Sequence, residues 1–134
     1  MATLNLTENT FAETIQGNSI VFVDFWAAWC GPCRNFAPVY EKASDANPDI
    51  VFAKVDTEAE QALAGSFQIS SIPTLMAIRD GVVLYSQAGA LPQEAFDNLV
   101  QAVRDVNMDD VRAEIAKNET AENETAENEA GQNS

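Results

Sequence analysis

The sequence contains no histidine, and this absence excludes several kinds of catalytic site. Ser-His and Cys-His pairs, in which an imidazole activates the nucleophile, cannot be assembled, and neither can histidine-rich metal sites. Cations are also scarce, because seven Lys and Arg residues stand against 21 Asp and Glu residues, a formal net charge of −14. Nucleic acids and anionic membrane surfaces select cationic patches, so we expect the chain to bind neither.

Long apolar runs and targeting signals are missing as well. The longest apolar run, residues 20–30, is interrupted by Asp24 and is shorter than the ~20 residues of a membrane-spanning helix. The N-terminal residues lack the basic and apolar segments of a secretory signal, so we expect a cytoplasmic protein. The length of 134 residues suits one domain, and 46% apolar residues are enough to form a core.

The C-terminal end differs in composition from the rest of the chain. Residues 118–122 and 123–127 repeat the pentapeptide Asn-Glu-Thr-Ala-Glu, and every charge after Lys117 is negative. Without aromatic or large aliphatic residues, this segment cannot bury enough surface to offset the entropy of ordering it. The sequence therefore predicts a globular domain in residues 1–108, a helical extension in residues 109–117 and a disordered acidic tail in residues 118–134.

Within the domain, strand-like and helix-like segments alternate. We predict strands at residues 3–6, 19–26, 50–55, 74–78 and 82–86, with Asp80-Gly81 as a tight hairpin turn between the last two. Apolar residues at helical spacing lie near residues 11–15, 36–40, 63–67 and from 92 onward, and Thr57 with Glu60 fits a capping box before the third helix. This order predicts an α/β fold with a parallel core and a closing antiparallel hairpin.

The chain has only two cysteines, Cys30 and Cys33, in the segment Trp29-Cys30-Gly31-Pro32-Cys33, between a predicted strand and a predicted helix. Unpaired N–H groups and the dipole at a helix N-terminus favour an anion, so we expect the Cys30 thiol to ionise readily. The spacing places the second sulfur about one helical turn away, and Pro32 stiffens the intervening loop. Such a pair can attack a disulfide and resolve the mixed disulfide from within.

Three other interpretations of the cysteine pair are disfavoured. A structural zinc site needs four ligands, which two cysteines without histidine do not supply from one chain unless carboxylates complete the set. A purely structural disulfide would be reduced in the cytosol. Two inert buried thiols would not require Gly-Pro between them at the start of a helix.

The segment Phe-Trp-Ala-Ala-Trp-Cys-Gly-Pro-Cys, residues 25–33, resembles the active site of the thioredoxin family. Later landmarks match in order, namely Val55-Asp56, Ile72-Pro73-Thr74, Asp80-Gly81 and Gly89-Ala90-Leu91. The resemblance spans residues 1–108 and implies the thioredoxin fold, a central mixed sheet of about five strands flanked by about four helices. It also implies a general protein-disulfide reductase or electron carrier that needs no bound cofactor, acts on disulfide-containing proteins as a monomer and is recycled by a thioredoxin reductase.

The resemblance assigns roles to individual residues around the dithiol. Cys30 would be the attacking thiol and Cys33 the buried resolving thiol. Ile72 and Pro73 would form a cis-proline loop that presents backbone groups to the substrate, and Gly89 would lie on the same substrate-binding face.

Asp24 interrupts an apolar strand pattern, and the pattern alone fits either a buried functional acid or an acid exposed at a strand edge. The resemblance favours a buried carboxylate that exchanges a proton with Cys33, with Lys54 nearby. Trp29, Gly31 and Pro32 would flank the reactive sulfur.

Two alternative functions use the same residues. One is a binding or scaffold subunit that uses the apolar face around Trp29, Ile72 and Gly89 without redox chemistry. The other is a disulfide-forming oxidase. The intact dithiol disfavours the first as a sole role, and the Gly-Pro dipeptide resembles the reducing branch of the family.

Overall fold

A computed structural model describes residues 2–119, and its helices and strands follow the predicted order. The elements are β1 (Thr3–Asn5), α1 (Phe11–Gly17), β2 (Ile20–Trp26), α2 (Gly31–Ala46), β3 (Val51–Asp56), α3 (Gln61–Ser66), β4 (Thr74–Arg79), β5 (Val82–Ala88), α4 (Gln93–Asp105) and α5 (108–119). The predicted tail, residues 118–134, lies outside the described residues from position 120 onward. None of the helices within residues 2–119 has the length and apolar character needed to cross a membrane.

The five strands form one mixed sheet in the order β1-β3-β2-β4-β5. β2 pairs in parallel with β3 and antiparallel with β4, which in turn pairs antiparallel with β5. The predicted α/β class and mixed sheet are therefore confirmed. Residues 2–119 contain five helices, one more than the four or so that the family resemblance implies, because residues 108–119 form α5. The chain divides into two units, one ending at Arg104 and one beginning at Asp105.

Side chains on the sheet alternate between two apolar layers, as the period of a strand requires. Phe22 on β2 and Phe52 on β3 point to one face, where they pack with Phe36 of α2 and Phe96 of α4. Their odd-numbered neighbours on the other face pack with residues of α1 and α3. Asp24 shares the parity of Phe22, so the alternation directs its side chain to the α2 face.

Local sequence explains where two connections form. The turn between β4 and β5 has positive φ at Asp80 (51°) and Gly81 (79°), the backbone of the tight hairpin that Asp-Gly predicts. The predicted capping box of α3 is wrong. Thr57 Oγ1 donates to the carbonyl of Trp26, and Glu60 accepts the backbone N–H of Glu8, so both side chains serve contacts to other segments and neither caps α3.

Candidate active site

The two cysteines lie where β2 leads into α2. They form a disulfide with a Cα–Cα distance of 5.2 Å. Cys30 is the N-cap residue of α2 and Cys33 lies in its first turn. The strand therefore carries the chain to the carboxyl edge of the sheet, and the helix start fixes both sulfurs there.

The electrostatics at this helix start differ between the two sulfurs. The backbone N–H of Cys33 donates to Cys30 Sγ at 3.2 Å, so the sulfur occupies the position of a capping oxygen. A sulfur in that position gains most when it carries negative charge. Exposure does not distinguish the two residues, because Cys30 is 4% exposed and Cys33 is 3% exposed.

Asp24 lies buried on β2, with 1% of its surface exposed. Neither of its carboxylate oxygens accepts a hydrogen bond from any residue within 2–119. Burial raises the pKa of this carboxyl from 3.8 to about 7, and the charge of Lys54 opposes the rise. Lys54 is the register partner of Asp24 on β3, and its Nζ lies 4.9 Å from the centroid of the Trp26 ring.

The loop before β4 lies close to the disulfide. Its Ile72-Pro73 peptide bond is cis. The carbonyl oxygen of Ile72 lies 3.7 Å from Cys30 Sγ, and the carbonyl of Pro73 accepts the backbone N–H of Gly89 at 2.8 Å. Gly89 has φ of 113°, a conformation that favours glycine. The structure thus brings together the three residues predicted for substrate binding.

The surface beside Cys30 is formed by Trp29, Pro32 and Gly31. Trp29 is 67% exposed and Pro32 is also exposed, whereas Gly31 is half-buried. Nε1 of Trp29 donates to Oε1 of Glu58 at 2.7 Å. On the helix side, Arg34 donates to the carbonyl of Ala28 at 3.0 Å. Trp29 and Pro32 thus form exposed surface beside Cys30, and the indole of Trp29 is hydrogen-bonded to the carboxylate of Glu58.

Glu58 is not among the site residues that the sequence predicts. Trp29 and Glu58 are 29 positions apart, so no helical or strand spacing connects them. The topology does contain a signal, because neighbouring parallel strands end at the same edge of a sheet. β2 ends at Trp26 and β3 ends at Asp56, so residues shortly after each strand come close together.

Within the described part of the chain, no group of three or more Cys, Asp and Glu side chains is placed to hold a metal ion. Both cysteines belong to the disulfide. The site consists of a disulfide at the start of α2, a buried acid on β2 and a loop with a cis Ile72-Pro73 bond.

A sequence model of the family described as "Thioredoxin" matches residues 2–102. The chain belongs to the thioredoxin family. A thioredoxin-type protein of Streptomyces coelicolor is 52% identical over 115 residues, 86% of each chain. The thioredoxin of Bacillus subtilis is 41% identical over 102 residues, covering 75% of this chain and 96% of the relative.

Solved thioredoxin structures have the same fold. A mutant thioredoxin from Halobacterium salinarum superposes with a TM-score of 0.73 at 28% identity, covering 78% of this chain and 93% of the other. Family membership and the disulfide-forming pair make the chain a thioredoxin disulfide reductase, and they do not favour the alternative of a scaffold without redox chemistry. Its partners are, in general, a thioredoxin reductase and disulfide-containing proteins.

Proposed function

We propose that Cys30 is the nucleophile and Cys33 the resolving thiol of this reductase. In the reduced protein, the Cys30 thiolate attacks one sulfur of a substrate disulfide, forms a mixed disulfide and releases the other substrate sulfur as a thiol after protonation. Cys33 then attacks Cys30, and the Cys30–Cys33 disulfide forms as the second substrate sulfur leaves. The two electrons pass from the dithiol to the substrate.

The strongest support for Cys30 as the first nucleophile is the contact that its sulfur makes with the start of α2. The N–H of Cys33 points at Cys30 Sγ, 3.2 Å away at the N-terminus of α2. That donor and the helix dipole stabilise a thiolate on Cys30, and no equivalent contact to the sulfur of Cys33 accompanies it within residues 2–119.

Asp24 is the group that exchanges a proton with Cys33 during resolution. Its pKa of about 7 lets the carboxyl take up or release a proton near neutral pH. Lys54, beside Asp24 in register, favours the ionised form and moderates the effect of burial. The even-numbered face of β2 directs Asp24 toward α2, the helix that carries Cys33.

The substrate polypeptide docks across the disulfide between the cis-proline loop and Trp29. Ile72 offers its carbonyl beside Cys30, and the exposed positions of Gly89 and Pro32 leave room for an extended segment. Trp29 adds exposed apolar surface next to Cys30, the sulfur that attacks the substrate. We place this activity in a reducing compartment, the cytoplasm, because a dithiol reductase must be kept reduced to act. We further propose that the chain works as a monomer and binds neither nucleic acid nor membranes, in keeping with its net charge of −14.

Trapping of mixed disulfides tests the order of the two cysteines. The Cys33→Ser variant should keep attack by Cys30 but lose resolution, so mixed disulfides with insulin or with lysate proteins should accumulate on non-reducing gels. The matched Cys30→Ser variant should trap none. Equal trapping by both variants would show that the sulfurs are interchangeable and that the assignment is wrong.

A further inference from the structure

Trp29 is the most exposed large apolar side chain among residues 2–119 and directly precedes Cys30. A surface tryptophan normally samples several rotamers, and fixing one costs conformational entropy. Here the indole N–H donates to a carboxylate oxygen of Glu58 at 2.7 Å. A direct hydrogen bond of this length restricts the ring, because most other rotamers of Trp29 would break it.

The loop that carries Glu58 is itself fixed to the strand that carries Trp29. The N–H and Oγ1 of Thr57 both donate to the carbonyl of Trp26, at 2.9 and 3.0 Å. The N–H of Glu58 donates to Oδ1 of Asp56 at 2.9 Å, which closes the turn. Donor and acceptor of the indole contact are therefore both anchored at the end of β2.

A second anchor holds the far side of the same loop. Glu60 accepts the backbone N–H of Glu8 at 2.8 Å, and its own N–H donates to the carbonyl of Asp56 at 2.8 Å. The side chains of Asp56 and Glu60 thus accept hydrogen bonds from backbone N–H groups. The carboxylate of Glu58 instead accepts a hydrogen bond from the exposed ring of Trp29 beside the disulfide.

We propose that Glu58 is a positioning residue of the reductase. By accepting the indole N–H, it holds the ring of Trp29 in one orientation, so that a disulfide-containing polypeptide meets an apolar surface that is already formed. A preformed surface lowers the entropy lost on binding and leaves the sulfur exchange itself unchanged. The inference rests on the proposed role of Trp29 in substrate contact.

The test compares Glu58→Ala, Glu58→Gln and Trp29→Ala in the full chain, with Glu13→Gln on α1 as a control that makes the same charge change. Glu58→Gln keeps an oxygen acceptor but removes the charge. Saturation kinetics of insulin reduction, with dithiothreitol returning the Cys30–Cys33 disulfide to the dithiol after each turnover, give KM and kcat. Exchange of the Trp29 indole proton with water, followed by NMR, reports the hydrogen bond. Reduction of the Cys30–Cys33 disulfide by dithiothreitol, a reductant too small to need the ring, reports the sulfur exchange itself.

Glu58→Ala should raise KM for insulin roughly threefold to tenfold, with kcat unchanged within about twofold. The indole proton should exchange faster, and the rate with dithiothreitol should stay the same. Glu58→Gln should restore both KM and slow exchange, and Glu13→Gln should change neither.

Three results would overturn the proposal. If Trp29→Ala raises KM but Glu58→Ala does not, Glu58 does not position the ring. If Glu58→Gln raises KM as much as Glu58→Ala does while Glu13→Gln leaves it normal, the negative charge at position 58 affects substrate binding and the hydrogen bond to Trp29 does not. If Trp29→Ala leaves KM unchanged, Trp29 does not contact the substrate, and the proposed role of Trp29 is wrong. In the first result, by contrast, Trp29 does contact the substrate and only the role of Glu58 is wrong.

Discussion

Asp24 destabilises the fold that carries it, and the effect depends on pH. Below pH 3.8 its carboxyl is protonated in both the folded and the unfolded chain, so titration contributes nothing. As pH rises toward 7, the unfolded chain releases this proton while the folded chain retains it, and the free energy of unfolding falls. The pKa change from 3.8 to about 7 corresponds to about 4 kcal/mol of lost stability above neutral pH.

Replacing Asp24 by asparagine should remove this pH dependence. The variant should be more stable than the natural protein at pH 8, by up to about 4 kcal/mol, and nearly equal to it at pH 4. The difference in unfolding free energy between the two oxidised proteins, measured with urea at each pH, cancels the contributions of their other charges. A difference of the same size at both pH values would contradict the buried titration.

The same variant should turn over more slowly, because it lacks the carboxyl that we propose exchanges a proton with Cys33. We expect insulin reduction at pH 7 to fall roughly tenfold to a hundredfold. Attack by Cys30 alone, measured as mixed-disulfide formation in the Cys33→Ser background, should change much less. If stability rises while turnover stays normal, Asp24 is buried but takes no part in the proton transfer.

The C-terminus of α4 is held by contacts with other parts of the chain. NH1 of Arg79 at the end of β4 donates to the carbonyls of Val103 and Arg104, both at 2.9 Å. The guanidinium thus satisfies carbonyls that a helix end leaves unpaired and places positive charge at the negative end of the dipole. Arg104 in turn donates to both carboxylate oxygens of Asp49.

Arg79→Met should therefore weaken the packing of α4 on the sheet. The loss of a charged donor to two partly buried helix carbonyls should lower the free energy of unfolding by about 1–3 kcal/mol. Arg112→Met is a suitable control, because Arg112 is exposed and pairs with Asp109 on the surface. Denaturant unfolding of the two variants should show the larger loss for Arg79. Equal losses would mean that the contacts to α4 add nothing to stability.

The sequence predicted the elements whose signals are local. β2 was predicted from its apolar run, the β4–β5 hairpin from Asp80-Gly81 and the start of α2 from the cysteine segment. The capping box at Thr57 and Glu60 failed because both side chains find partners far away in sequence, at Trp26 and Glu8. Local patterns cannot reveal such tertiary competition.

In the candidate site, too, the residues with local signals could be predicted, and the contacts between distant segments could not. The dithiol and Asp24 stand out as short motifs or as conflicts with an apolar pattern, and the family resemblance located the cis-proline loop. The pairing of Trp29 with Glu58 depends on strand order, which places the ends of β2 and β3 together. It becomes visible only once the parallel pairing of these strands is known.

Charge is distributed unevenly along the chain. Residues 1–108 carry 13 acids and five bases, whereas residues 109–134 carry eight acids and two bases. Excess charge of one sign promotes solubility and acts at long range, and salt screens it beyond a Debye length of about 8 Å at physiological ionic strength. At low salt, the C-terminal acids can therefore influence association with charged partners.

Deleting residues 120–134 should separate these effects. The deletion removes four glutamates and changes the formal charge from −14 to −10, yet its largest apolar residue is alanine. We expect the free energy of unfolding to stay within about 0.5 kcal/mol and insulin reduction to be unchanged at physiological salt. A full-length variant with the same four glutamates changed to glutamine controls for charge at constant length. If the deletion lowers stability by more than about 1 kcal/mol and the glutamine variant does not, the segment contributes through contacts, which its composition does not predict.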